Sequence, residues 1–155
     1  MLNLSAGQNP AICSNIIKAS DSDYAGFEGF TYSLTLTRES VRGIGRMVLL
    51  GREDRLKYAN LEVALREHEV EPGTTVGLIE QFYPNSRDPQ VIAARRKQGN
   101  GKSLLERMMS DARGRGAGLI ACWSPQSDMQ RFLRRNGFEQ LSRSRLFVRE
   151  LPRAS

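Results

Sequence analysis

Polar and apolar residues alternate in the first half of the chain at the two-residue period of a half-buried β-strand. In Phe30–Thr37, the side chains of Tyr32, Leu34 and Leu36 share one face and hydroxyl side chains the other. About 30 residues precede this first predicted strand, and a turn-like RESVRG follows it. Further strands are predicted at Met47–Leu50, Ala59–Leu65 and Thr74–Tyr83. The short spacing between these strands predicts an antiparallel meander.

The second half of the chain begins with the period of an amphipathic helix. In Lys102–Arg113 the apolar residues recur at the i, i+4, i+8 spacing of one helical face. They are Leu104, Leu105, Met108, Met109 and Ala112. Gly114 and Gly116 follow and are expected to end the helix.

A buried strand, a second helix and two last strands complete the predicted elements. Gly118–Trp123 (GLIACW) is wholly apolar, as expected of a strand buried on both faces. Ser127 and Gln130 have the spacing of a capping box, which predicts a helix over 127–136, and Gly137 suits a left-handed C-terminal cap. The last strands are predicted at Phe138–Leu141 and Arg145–Leu151. The elements together predict an α+β fold, with a mixed, mostly antiparallel sheet of six or seven strands flanked by helices.

Length and composition favour one globular domain over residues 1–155 and argue against a membrane, secreted or metal-binding protein. No apolar run approaches the roughly 18 residues of a spanning helix, and the N-terminus lacks a secretory pattern. We therefore expect no membrane partner and a cytoplasmic location. Cys13 and Cys122 do not suggest a disulfide framework, and with His68 as the single histidine we expect no metal site.

The net charge of +6 suits either a nucleic acid or a polyanionic small ligand such as a nucleotide or coenzyme A. Most of the excess lies in residues 95–115 and 131–149. Aromatic residues are not interleaved with these charges, as a stacking platform for single strands would require. Nucleic acid is therefore the less favoured partner.

One loop carries the candidate chemistry, RKQGNGK at 96–102, directly before the predicted helix. A helix N-terminus offers unpaired N–H groups and about half a positive charge, so it attracts anions. Gly99 and Gly101 let the backbone approach a phosphate closely, while Lys97 and Lys102 add positive charge. The loop is therefore expected to bind phosphates.

A nucleoside-triphosphate P-loop is one interpretation, because Gly101, Lys102 and Ser103 match the end of that motif. Its first glycine would have to stand at position 96, which is Arg96. The next apolar strand ends in Trp123 and not in an aspartate that would hold Mg²⁺. This interpretation is the weaker one.

The loop resembles that of the GNAT superfamily of N-acetyltransferases, whose signature is Gln or Arg, two residues, Gly, one residue, then Gly or Ala. Arg96, Gly99 and Gly101 satisfy this signature. The context strengthens the resemblance, since a strand precedes the loop, Leu104 opens a helix, and a buried strand and a helix ending at Gly137 follow. The resemblance covers about residues 74–150; the rest of the chain is only compatible with the family.

The resemblance implies an acyl-coenzyme A-dependent N-acyltransferase, with acetyl-coenzyme A or another acyl-coenzyme A as co-substrate. The pantetheine arm would lie between the strand ending near Gln81–Tyr83 and the strand Gly118–Trp123. A backbone N–H near Phe82 would polarise the thioester carbonyl. The pyrophosphate would bind the loop, and Gln126 would touch the pantetheine. The implied cofactor-binding residues are Phe82, Arg96, Lys97, Gln98, Gly99, Asn100, Gly101, Lys102 and Gln126.

The acceptor implied by the family is an amine on a small molecule, peptide or protein, which loses a proton as it attacks. Glu80 is the preferred general base, with Glu62 on the neighbouring predicted strand as second choice. Where the family carries a general-acid Tyr in the last helix, this chain has Phe132 followed by Leu133. Tyr83, at the end of the preceding strand, and Ser127, at the start of the last helix, are the candidates to replace it, and Tyr83 is the favoured one. Cys122 is expected to be a packing residue, because the direct attack needs no acyl-enzyme.

Two further departures from the family pattern affect the acceptor site. Twelve residues, PNSRDPQVIAAR, separate Tyr83 from Arg96, where the family needs only a few. The N-terminal segment is short for the family's first two helices, so the acceptor pocket is either open or completed by a second subunit in a homodimer. A coenzyme-binding regulatory module without turnover stays an alternative, as does, less favoured, a basic nucleic-acid-binding protein.

Overall fold

A computed structural model describes residues 16–24, 26–35, 40–82, 100–124, 126–141 and 144–152. Within these ranges the chain forms seven strands and four helices. The strands are β1 (Ile16–Tyr24), β2 (Phe27–Thr35), β3 (Ser40–Leu50), β4 (Val76–Phe82), β5 (Leu119–Trp123), β6 (Glu139–Gln140) and β7 (Leu146–Glu150). The helices are α1 (Arg52–Arg55), α2 (Ala59–Glu67), α3 (Asn100–Gly114) and α4 (Ser127–Arg135).

The seven strands form one mixed sheet in the order β1-β2-β3-β4-β5-β7-β6. Every neighbouring pair is antiparallel except β4 and β5, which are parallel. The parallel pair is joined by the long connection that contains α3, because parallel neighbours need a crossover. The α+β class and the mostly antiparallel seven-stranded sheet are therefore confirmed, whereas the predicted meander holds for β2, β3 and β4 but does not include Ala59–Leu65.

Alternate residues of the central strands face two separate cores, one on each side of the sheet. On the side covered by α3 and α4, here called the α3 face, the buried strand residues include Met47, Ile79, Cys122 and Phe147. On the opposite side, the α2 face, α2 covers the other set: Val48, Leu78, Ala121 and Val148. The sheet is thus buried on both faces in its middle, which explains the continuous apolar runs in β4 and β5.

The predicted helix after the candidate loop is confirmed as α3, which begins at Asn100 and ends at Gly114. Leu104, Leu105, Met108 and Ala112 of its apolar stripe are fully buried on the α3 face. The chain reverses directly after it at Gly116, whose φ of 85° suits a residue without Cβ.

The predicted strand Ala59–Leu65 is wrong, because this segment is the helix α2. Leu61, Ala64 and Leu65 are buried, at the i, i+3, i+4 spacing of one helical face. Val63, which a strand would have placed beside Leu61 and Leu65, is 58% exposed. The two periods share the positions i and i+4, so the apolar pair Leu61 and Leu65 fits either.

Two predictions about the N-terminal half are also corrected. A strand, β1, precedes the first predicted one and pairs along its whole length with β2. The sequence RESVRG is not a turn throughout, since β3 begins at Ser40 within it. Residues 36–39 lie outside the described ranges.

The second predicted helix is confirmed as α4, but its predicted capping box does not form. Gln126 is the N-cap, without a side-chain capping bond, and Ser127 is already helical. The side chain of Gln130 instead donates from Nε2 to the carbonyl of Ser124 at 2.8 Å. Gly137 follows α4 with a φ of 85°, as its predicted role as a left-handed cap requires.

A buried arginine fastens α1 and α2 to the connection that enters β4. Arg55 is fully buried and pairs with the carboxylate of Glu62, with Nη2 2.7 Å from Oε1. Its Nη1 donates to three backbone carbonyls of the connection: Glu71 at 2.7 Å, Pro72 at 3.2 Å and Thr74 at 2.9 Å. The guanidinium thus satisfies several acceptors at the base of β4 at once.

Candidate active site

The candidate site is the region where β4 and β5 stop pairing. Their parallel register runs from Val76 opposite Leu119 to Ile79 opposite Cys122. β4 then continues for three residues beyond this register, Glu80 to Phe82, and the last two pair with Arg46 and Gly45 of β3. We call the region between Glu80–Phe82 and Trp123 the wedge.

A β-bulge at Glu80 re-aims the side chains along one edge of the wedge. Met47 of β3 pairs with Ile79, but the next residue, Arg46, pairs with Gln81, so Glu80 is an extra residue on β4. Without a bulge, Ile79 and Phe82 would face opposite sides of the sheet, since they are three residues apart. Both pack on the α3 face instead. The bulge therefore moves Phe82 to the same side as the start of α3.

Aromatic packing joins the end of β4 to both helices of the α3 face. The rings of Phe82 and Phe132 pack with centroids 5.7 Å apart. Phe132, on α4, also covers Gly101 in the first turn of α3, where an added Cβ would lie 3.6 Å from its ring. That distance is an ordinary contact, so the described packing does not by itself require a glycine at position 101. The start of α3, the end of β4 and α4 thus meet at one place.

Gly45 on β3 permits this close approach of α3. It lies opposite Phe82, and a Cβ there would be 2.6 Å from Cε of Met108 and 3.3 Å from Cδ2 of Leu104. A larger residue there would require the end of the Met108 side chain to move and would crowd Leu104 of α3. Close backbone approach is a characteristic reason for glycine within a strand.

Part of the predicted phosphate loop falls outside the described residues, namely Arg96, Lys97, Gln98 and Gly99, as does Tyr83. Asn100 begins α3, and Gly101 and Lys102 follow in its first turn. Lys102 is exposed, and the first turn of α3 holds no acidic residue. The positive end of the helix dipole is therefore not offset by a carboxylate of its own first turn.

On the α2 face of the wedge, the carboxylate of Glu80 is exposed and held by a tyrosine. The hydroxyl of Tyr58, in the turn before α2, donates to Oε1 of Glu80 at 2.9 Å. Tyr58 itself packs against the core of the α2 face and against the ring of Phe27, with centroids 5.3 Å apart. A residue 22 positions away in the sequence therefore orients the predicted base.

Trp123, at the end of β5, forms the other side of the wedge, and it was not predicted to be a site residue. The prediction of a strand buried on both faces holds for Leu119 to Cys122 but is wrong for Trp123, which is 38% exposed. It pairs with Leu146, which belongs to the core of the α2 face, so both point to that face. The sequence did contain a signal for an exposed aromatic residue here, because a tryptophan ends the otherwise small and aliphatic segment GLIACW.

Cys122 is buried on the α3 face, and burial raises the pKa of its thiol to about 12. The thiol is therefore protonated near neutral pH and is a poor nucleophile. This agrees with its predicted role in packing. Cys13 lies outside the described residues.

The remaining positions considered for the site, Glu62, Leu133 and Gln126, lie on α2, on α4 and at the start of α4. Glu62 lies on α2 and not on a strand, and its buried carboxylate is paired with Arg55 and Arg66. A carboxylate so engaged is a poor choice of general base. Leu133, at the family's tyrosine position, is fully buried in the core of the α3 face. Gln126 is exposed at the N-cap of α4, beside the end of β5.

Comparison of the chain with protein-family models, with curated proteins and with solved structures found no match. Among the described residues, no group of three or more His, Cys, Asp or Glu side chains has a metal-binding arrangement. Likewise, none of the described helices has both the length and the apolar character of a membrane span.

Proposed function

We propose that the protein is an acyl-coenzyme A-dependent N-acyltransferase that uses the wedge as its active site. The observation that carries the proposal is that the β4–β5 register ends at Ile79 and Cys122, while Phe82, farther along β4, and Gly101, in the first turn of α3, both lie against Phe132. An extended pantetheine arm would need the two strand ends to part beyond this register. The GNAT-like signature, which runs from Arg96 into the first turn of α3, would supply the pyrophosphate site.

The coenzyme would bind by its pyrophosphate to the loop 96–102 and the start of α3. Backbone N–H groups of a glycine-containing loop and of a helix N-terminus suit this anion. The absence of acidic residues in the first turn of α3 and the exposed Lys102 favour it further. The acyl thioester would then lie near Phe82, where a backbone N–H would stabilise the oxyanion.

Glu80 is proposed as the general base. Tyr58 occupies Oε1 of its carboxylate, which leaves Oε2 to accept a proton from the amine. The amine nitrogen attacks the thioester carbonyl carbon, the proton passes to Glu80, and the carbon–sulfur bond breaks to release the coenzyme thiolate. Tyr83 or water protonates that thiolate. Because the Cys122 thiol stays protonated near neutral pH, direct transfer is favoured over an acyl-enzyme on this residue.

Two substitutions test the cofactor site, and two others serve as their controls. Gly101→Asp adds a carboxylate where the phosphate would approach and should abolish coenzyme A binding, and so should Gly99→Asp. Gly101→Ala is the matched control, since its Cβ makes only an ordinary contact with Phe132 and the family signature accepts Ala there. Ser110→Asp, exposed on the same helix, controls for the added charge. Calorimetric titration with coenzyme A measures binding, and a folded Gly101→Asp that binds like the parent would refute the site.

A coenzyme-binding module without turnover is the second candidate, and the buried Leu133 favours it. The family's general acid cannot come from this position, because Leu133 has no proton to donate and lies in the core. General-acid help is typically worth about 10²–10⁴ in rate, while a thiolate with a pKa of about 8.5 can leave without it. Release of thiol from acyl-coenzyme A in the presence of a panel of amines decides between the two candidates.

A further inference from the structure

The wedge places a carboxylate and an indole side by side on the α2 face. Ile79 and Cys122 are the last paired residues of β4 and β5, and Glu80 and Trp123 come next on each strand. Both point to the α2 face, Glu80 because it meets Tyr58 there and Trp123 because it pairs with Leu146. Each follows the last paired residue of its strand by one position, so the two side chains lie at the same end of the α2 face, one on each side of the wedge.

From this juxtaposition we infer that Glu80 and Trp123 select the acceptor, an aliphatic primary amine without a carboxylate on the adjacent carbon, which binds in its ammonium form and loses one proton to solvent before its nitrogen attacks. This inference rests on the proposed function for its catalytic meaning, but the binding that it describes is independent of turnover. Diamines and lysine side chains belong to the selected class, whereas α-amino groups of amino acids do not.

Each of the two side chains recognises a different property of such an amine. Glu80 is exposed, and the second oxygen of its carboxylate would accept a charge-assisted hydrogen bond from the ammonium group. The face of an indole attracts a cation within about 6 Å of the ring and also covers aliphatic carbons, and tryptophan does so better than other aromatic residues. Trp123 is exposed enough, at 38%, to offer that face to a ligand.

An α-carboxylate would be rejected by the same geometry. It would lie close to the Glu80 carboxylate, since only one carbon separates it from the bound nitrogen. Like charges at such short range repel each other, and the carboxylate would also face the electron-rich surface of the indole. A neutral alcohol of the same shape, on the other hand, lacks the charge that both groups recognise.

Trp123 is the single tryptophan of the chain, so its fluorescence reports binding directly and without an acyl donor. Titration with n-butylamine against matched sodium chloride should change the emission in a saturable way. 1-Butanol, the neutral isostere, and norvaline, which is butylamine with an added α-carboxylate, should bind at least about fivefold more weakly. Equal affinity for norvaline would overturn the acceptor class, and equal affinity for 1-butanol would mark an apolar site instead.

Two variants, each with a matched control, separate the contributions of Glu80 and Trp123 to amine binding. Glu80→Gln should weaken butylamine binding about three- to tenfold, whereas Glu139→Gln, which removes an exposed charge on β6, should leave it unchanged. By calorimetry, Trp123→Leu should weaken it about two- to fivefold, with Leu56→Ala as the exposed apolar control. Unaltered binding in both site variants would refute the inference.

Turnover measurements distinguish this inference from the proposed function. Saturable amine binding with the predicted selectivity, but without thiol release from any acyl-coenzyme A, would leave the amine site standing and refute the transferase. Thiol release that is as fast with norvaline as with butylamine, and that is unchanged in Trp123→Leu, would leave the transferase standing and refute the amine site.

Discussion

Replacement of Arg55 by methionine should be the most destabilising single change outside the apolar cores. Methionine keeps the length and apolar stem of the side chain but removes the guanidinium. The buried carboxylate of Glu62 then loses its main partner, which has its Nη2 2.7 Å away and its Nε 2.8 Å away. The carbonyls of Glu71, Pro72 and Thr74 also lose their side-chain donor.

The size of the expected loss of stability follows from the burial of the Arg55–Glu62 ion pair. The side chain of Arg55 is 0% exposed and that of Glu62 is 9% exposed, so the remaining carboxylate is left in the interior. Breaking a buried pair from one side typically costs about 3–5 kcal/mol. This is a large part of a typical stability of about 5–15 kcal/mol, and it corresponds to a fall in Tm of about 10 °C for a chain of this length.

The assay is equilibrium unfolding in urea, with the m-value as a check on two-state behaviour. Arg66→Met is a matched control, because Arg66 contacts the same carboxylate at 3.2 Å but is 62% exposed. It should cost no more than about 1 kcal/mol. The double variant Arg55→Met with Glu62→Leu should recover much of the loss, since no buried charge then remains. If Arg55→Met lowers the free energy of unfolding no more than Arg66→Met does, the buried ion pair does not stabilise this part of the fold as we describe.

Three further predictions concern the site and its strands. Glu80→Gln should lower kcat near neutral pH while the Kd for coenzyme A stays nearly constant, and an unchanged rate at saturating amine would remove Glu80 from the role of base. Tyr83→Phe should lower turnover at least about tenfold, and full activity would point to water as the proton source. The free energy of unfolding should fall between about pH 9 and pH 12, by up to about 1.4 kcal/mol per pH unit, because the Cys122 thiol ionises only in the unfolded chain over that range. Urea unfolding at pH 8 and pH 10 measures the fall, and Cys122→Ala should reduce its slope; an identical slope in both proteins would contradict the assignment.

Sequence periodicity alone determined the C-terminal half of the fold. The apolar stripe of α3 and the apolar run of β5 follow from residues close to one another in the chain. A helix that covers a sheet needs its apolar residues on one face, and a central parallel strand needs apolar residues on both. The anion-binding role of the loop with Gly99 and Gly101 is likewise a prediction from local residue type, because backbone access to an anion depends on glycine.

Two elements of the N-terminal half, α2 and β1, could not be predicted from the local sequence pattern and depend on tertiary contacts. The spacing of Leu61 and Leu65 fits a strand and a helix equally, and only packing that buries Ala64 and exposes Val63 distinguishes them. β1 has the polar sequence IIKASDSDY, and its strand depends on backbone pairing with β2.

The site itself depends most on such non-local contacts. A bulge is a mismatch between two strands, so no single segment predicts that Glu80 is the extra residue of β4. Tyr58 reaches Glu80 only because α2 packs on the same face, and Trp123 comes beside it only through the register of β4 and β5. The sequence therefore shows which residue types are present. Only the tertiary structure shows which of them lie close together, because strand pairing joins residues that are distant along the chain.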